Sequence, residues 1–67
     1  MELSTRNQLP GTVKRVILGT IMAEVTVKVG QNEIVGVITR HSAERLAMQA
    51  GDQVGVLIKA TEVMIGK

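Results

Sequence analysis

The chain is one small domain of 67 residues with no Cys, a single His and no Phe, Tyr or Trp, which excludes a disulfide framework and a zinc site built from His and Cys. A core of this size supplies only about 3–5 kcal/mol, so with 45% hydrophobic residues and no aromatic side chains to bury, association with further copies is the expected source of extra burial. The formal charge of +2 favours anionic partners slightly and is too mild to imply nucleic acid.

The first element expected is a strand over Gln8–Leu18, rich in Val, Ile and Thr. Pro10 and Gly11 near its start suit an edge or a bulge better than a central position. Gly19 marks a turn. From Ile21 to Val29 apolar residues fall on every second position, with Glu24, Thr26 and Lys28 between them, which is the period of a half-buried strand. Met22 interrupts the polar face and suits contact with a neighbouring subunit. Gly30-Gln31-Asn32 is turn chemistry, predicting a hairpin into a third strand over Ile34–Thr39. That strand is apolar on both faces except at its last residue, implying cover on both sides. Ser42–Met48 then changes to good helix formers, with Ser42 as the expected N-cap, Glu44 in the first turn and Gly51 as the stop. Val54, Val56 and Ile58 alternate again, and Val63-Met64-Ile65 follows a Thr61-Glu62 corner as a last short strand.

Three strands, a short helix and two strands predict an all-β fold with one short helix: a five-stranded, OB-like small barrel spanning residues 1–67 as a single domain. No stretch approaches the ~20 apolar residues of a membrane span. The beginning of the chain, with Glu2 and Arg6 and no continuous apolar run, does not read as a signal peptide, so the expected location is cytoplasmic.

Catalytic chemistry finds little support. His41 is the only imidazole, and its neighbour Ser42 does not make a triad with it. Neither GxxxxGK[ST] nor GxGxxG is present to cradle a phosphate. The chain is therefore read as a non-enzyme, and a catalytic set as none. Nucleic-acid binding by a small barrel typically stacks bases on aromatic side chains, which are missing, and the cations are scattered from Arg6 to Lys67. An OB-like scaffold or nucleic-acid-binding barrel is thus the alternative, not the leading reading.

What remains is a set of hydroxyls and cations at strand ends: Ser4, Thr5, Arg6, Thr39, Ser42, Lys59 and Thr61. A small oxyanion such as molybdate accepts hydrogen bonds on every oxygen, so it calls for hydroxyls, backbone N–H groups and one or two cations around a cavity of fixed size. Hydroxyls and cations at strand ends are also common as plain solvated surface, and spacing alone favours that second reading.

Three segments taken together change the balance. "STRNQLPGTV", "VITRHSAERL" and "IKATEVMI", in that order and from Leu3 to Ile65, closely resemble the molbindin family, the small molybdenum-pterin-binding or Mop-domain proteins. The resemblance implies a barrel that binds molybdate, often tungstate, for storage or homeostasis, and assembles as a homo-hexamer, a trimer of dimers, with anion sites between subunits. It implies no separate cofactor, no bare metal cation, and no nucleic-acid or membrane partner. It assigns Ser4, Thr5, Arg6, Lys59 and Ala60 of one chain, with Thr39 and Ser42 of its neighbour, to the molybdate site. Thr5 stands where Ala or Gly is common in the family, and Ala60 where Ser often occurs. Asn7 and Gln8 read as structural, His41 as a surface or interface residue, and Met22, Met48 and Met64 as packing.

Overall fold

The computed structural model describes residues 6–67. Its elements are β1 (Asn7–Leu18), β2 (Met22–Val29), β3 (Asn32–Thr39), α1 (Arg40–Arg45), β4 (Gln53–Ile58) and a single 3-10 turn over Ala60–Glu62. The strands form one antiparallel sheet in the order β3-β2-β1-β4. This is the expected mostly-strand architecture with one short helix, but the described sheet has four strands and not five. Val63–Ile65 forms no strand: a strand needs a partner edge, and the chain brings none to it.

The alternation of β2 produces the core directly. Val25 and Val27 face inward with Val13 of β1, and Val16, Val29, Ile38, Met48, Val54 and Val56 pack around them. Gly30, at φ 62°, makes the β2–β3 turn, a left-handed conformation that glycine adopts without penalty. β1 is long enough to serve two neighbours. Its first half pairs with β4, from Asn7↔Ile58 to Thr12↔Gln53. Its second half pairs with β2, from Thr12↔Lys28 to Leu18↔Ala23. Pro10 falls in the half paired with β4 alone, so its missing N–H fits there, as an edge-like position allows. The bulge lies a little further on: the β1–β2 register slips between Val13 and Arg15, and that extra residue puts the two halves of β1 in different neighbourhoods.

Four further expectations need correction. Thr39, not Ser42, caps the helix: its hydroxyl accepts from the Ser42 backbone N–H at 3.1 Å. Both residues carry a hydroxyl, and helical geometry begins at Arg40, so the earlier one takes the cap. Glu44 accordingly falls beyond the first turn, where no acidic residue lies. The helix ends at Arg45 with Ala47 at φ 51°, well before Gly51. Finally, β3 is not covered on both faces. Ile34 and Ile38 are half-buried, but Val35 and Val37 on the opposite face are 57% and 62% exposed.

That outer face also carries Ile17 and Met22, both exposed, beside a charged group at the hairpin end. There Lys14 of the bulge reaches across β2 to pair with Glu33. Of the three methionines read as packing, only Met48 joins the core, while Met22 and Met64 are exposed.

Candidate functional site

The sequence-predicted donors fall into two groups, and the strand directions decide where each lies. The first group gathers where β1 begins and β4 ends. Asn7 pairs with Ile58, and continuing that register by one step sets Arg6 opposite Lys59. The side-chain amide of Asn7 donates to the Ile58 carbonyl at 3.1 Å. It closes the ladder at the very residue next to each cation, the structural role expected of Asn7. Arg6, Lys59 and Ala60 are all exposed. Among the described residues no carboxylate pairs with Arg6 or Lys59; the ion pairs formed are Lys14–Glu33 and Arg40–Glu44.

Lys59 also opens the 3-10 turn. Its carbonyl accepts from the Glu62 N–H at 2.9 Å, and the turn's first N–H groups, those of Ala60 and Thr61, have no acceptor within it. Ala60 lacks a hydroxyl, so its backbone is the only hydrogen-bonding group it brings to this end of the sheet. Ser4 and Thr5 lie outside the described residues.

The second group sits where β3 ends and α1 begins. Thr39 and Ser42 are joined twice: by the cap bond and by a hydroxyl–hydroxyl bond at 2.8 Å in which Thr39 donates to Ser42. With its proton committed to Ser42 and its oxygen to the cap, Thr39 acts as an anchor. Ser42 accepts through its oxygen and keeps its own proton to give outward. The Arg40 N–H donates to the Ile21 carbonyl at 2.8 Å, and its guanidinium reaches the Gly19 carbonyl at 3.2 Å. These bonds fix the helix start against the β1–β2 turn. His41 is exposed on the helix.

The two groups do not meet within one chain. Met22 pairs with Thr39 and Leu18 with Ala23, so Thr39 lies at the end of the sheet where β1 finishes. Arg6 and Lys59 lie where β1 starts. At roughly 3.3 Å per residue, the 12 residues of β1 are long enough to reach from one end of the chain's 34 Å longest dimension to the other. One small ion cannot touch both groups of a single chain. This separation escapes sequence spacing, because the distance between residues 6, 39 and 59 along the chain says nothing of strand direction.

Among the described residues no cluster of three or more His, Cys, Asp or Glu side chains could hold a metal cation. No helix of the described residues is long and apolar enough to cross a membrane. Among the described residues, the one perturbed carboxyl lies away from both donor groups. Glu33 is held below its ordinary value, first by its hydrogen bond and charge contact with Lys14, then by Arg15 and Lys28.

Comparison with known proteins adds an independent line. Residues 3–65 match the TOBE domain model. Molybdenum-pterin-binding protein 1 of Clostridium pasteurianum is 41% identical over 66 residues, covering 97% of each chain. A molybdate-binding protein from Sporomusa ovata superposes with a TM-score of 0.94 at 40% identity, over the full length of both chains. The cytoplasmic molybdate-binding protein ModG, in a molybdate-bound form, superposes with a TM-score of 0.86 at 36% identity, over 90% of this chain and 43% of that one.

Proposed function

The chain belongs to the TOBE-domain family, alongside the small molybdenum-pterin-binding proteins, and from that premise we propose that it binds molybdate as an oxyanion between copies of itself. One half of the site is Ser4, Thr5, Arg6, Lys59 and Ala60, and the other is Thr39 and Ser42 of a neighbouring chain. The observation that carries this reading is the separation of the two groups along β1: each is an incomplete anion cradle, and together they supply cations, hydroxyls and backbone donors. Arg6 and Lys59 offset the dianion's charge. Ser42 donates a hydroxyl proton, and the backbone N–H of Ala60 adds a donor that the family's serine at this position is not needed for.

Such a cradle holds an anion without transforming it. It contains neither an activated nucleophile nor a positioned base, and every group named is a donor or a fixed charge. The role that follows is reversible holding of the ion, as storage or buffering in the cytoplasm. Tungstate, of equal charge and nearly equal size, suits the same donors. The bare outer face of Ile17, Met22, Val35 and Val37 supports association of several copies, with a hexamer built as a trimer of dimers as the expected assembly.

Calorimetric titration of the intact protein tests this reading. Molybdate should give a saturable heat, sulfate at matched ionic strength a much smaller one, and a short oligonucleotide none. Equal heats for molybdate and sulfate would reduce the site to charge screening. Binding of the oligonucleotide alone would favour the scaffold alternative.

A further inference from the structure

Thr26 is the only polar side chain fully buried among the described residues, and its hydroxyl has no partner there. Native structures rarely leave such a group unused. Alternation puts Thr26 on the outer face of the sheet, opposite Arg15 of β1 and Val35 of β3. Val35, Val37 and Ile17 on that face are exposed, so no second layer covers Thr26, and its cover comes from the longer side chains around it. Three of these are cations: Arg15, Lys28 two residues along β2, and Lys14 of the bulge, which crosses β2 to pair with Glu33. Among the described residues Arg15 and Lys28 form no ion pair, so this corner holds three cations against the carboxylate of Glu33. All three draw that carboxyl below its ordinary value, Lys14 most and then Arg15 and Lys28, which places their fields on one point. Glu24, the other carboxylate of this face on β2, lies on the far side of Thr26, opposite Ile17 and Val37.

We propose that this corner binds inorganic phosphate, with Lys14, Arg15 and Lys28 around the anion, Thr26 beneath it and Glu33 accepting the proton it carries. Residues facing each other across neighbouring strands lie about 4.5–5.5 Å apart and diagonal ones about 7–8 Å, so three long cationic side chains can close on one ion above a short central one. The Arg15 guanidinium offers a planar fork for two oxygens, and the two ammonium groups add point charges. Glu33 sets which oxyanion fits. One of its oxygens accepts from Lys14, and the other remains an acceptor. Inorganic phosphate keeps at least one proton at neutral pH and can donate it to that oxygen. Sulfate and molybdate carry none, so the carboxylate only repels them. A phosphate monoester, with a second pKa of about 6, has mostly lost its last proton at neutral pH and meets the same repulsion. The preference is therefore opposite to that of the cradle of Arg6, Lys59, Thr39 and Ser42, to which no carboxylate belongs. The phosphate site also lies within one chain, so it stands independently of that cradle.

Amide NMR shifts of the intact protein, titrated near neutral pH with sodium phosphate, sodium sulfate or glycerol phosphate at matched ionic strength, test this site. Phosphate should move the Arg15, Thr26 and Lys28 amides saturably, at several-fold lower concentration than the other two anions. Equal responses to all three, or phosphate shifts confined to Thr39, Ser42 and Lys59, overturn the proposal. Glu33→Gln removes the repulsion, so the preference for phosphate over sulfate should fall towards one; an unchanged preference overturns the proposal. Thr26→Val deletes a buried unpaired hydroxyl while nearly keeping the side chain's shape, so it should raise Tm and weaken phosphate several-fold. Lys28 is exposed, so Lys28→Gln keeps the fold and carries the test even if Thr26→Val does not fold. It too should weaken phosphate several-fold, and unchanged phosphate binding in Lys28→Gln overturns the proposal.

Discussion

Two side-chain hydrogen bonds span the same β1–β4 ladder, and they separate structural from functional loss. Asn7 donates to the Ile58 carbonyl at 3.1 Å beside Arg6 and Lys59, and Gln53 donates to Thr12 at 3.1 Å at the far end of the ladder. Asn7→Ala removes a half-buried neutral bond worth about 0.5–1.5 kcal/mol net. In a domain of 60–100 residues each kcal/mol lowers Tm by roughly 4–8 °C, so a fall of a few degrees up to about 10 °C is expected. Asn7→Ala also frees the two cations from their fixed spacing. If about 1 kcal/mol of anion binding depends on that spacing, molybdate affinity falls about fivefold. Gln53→Ala breaks an exposed bond remote from both cations and should lower Tm less, with affinity unchanged. The assay is calorimetric titration of each variant at one protein concentration, with melting curves and assembled mass measured on the same samples. Equal loss of affinity in Gln53→Ala, or none in Asn7→Ala with its assembly intact, would refute the positioning role.

Arg6→Ala should weaken molybdate by about tenfold or more, the loss of one charge-assisted contact of ~1.5–3 kcal/mol. Arg6→Lys should recover part of it, since an ammonium lacks the planar fork; calorimetry on intact oligomer decides. Thr39→Val removes the helix cap and should cost about 0.5–2 kcal/mol, read as Tm, together with molybdate affinity because Ser42 loses its orienting bond; Thr39→Ser should retain both. Gly11→Ala should destabilise by about 1–3 kcal/mol through overpacking, because the new Cβ would lie 2.6 Å from a Val27 methyl and 2.9 Å from the Lys28 carbonyl oxygen; chemical denaturation measures it. The Lys14–Glu33 pair stabilises the fold fully above Glu33's ordinary value of 4.5, and that contribution is lost as pH falls through the lowered folded-state value. Glu33→Gln should flatten this part of the acid side of a Tm-against-pH curve, and added salt should weaken the effect in the parent.

The strand whose apolar residues recur at every second position was legible in the sequence. β2 is the clearest case: Ala23, Val25 and Val27 face the core as their period predicts, although Thr26, expected on the solvated face, is buried as well. The cap was harder to read, because Thr39 and Ser42 carry the same chemistry three residues apart and only the backbone shows where helical geometry starts. Val63-Met64-Ile65 has the composition of a strand, yet pairing depends on which edge is within reach, a property of the whole arrangement. Cover on β3 fails for a related reason. Apolar residues on both faces state a need for burial without saying whether the same chain meets it. For the site, the three matching segments point to Arg6, Thr39, Ser42, Lys59 and Ala60, while their division between opposite ends of β1 emerges only from the strand order.

Under the function proposed above, that division sets how many ions an assembly can hold. Each chain carries Arg6 and Lys59 at one end of the sheet and Thr39 and Ser42 at the other, and in the proposed site a complete cradle takes one half from each of two chains. In a row of n chains joined end to end, the first and last each keep an unmatched half, and only n − 1 sites form. When the row closes on itself, every half finds its complement and the count rises to n. Closure therefore adds a site without adding a residue. An anion in excess would favour closed assemblies over open ones of the same length, and the measured ratio of ions to chains would distinguish them.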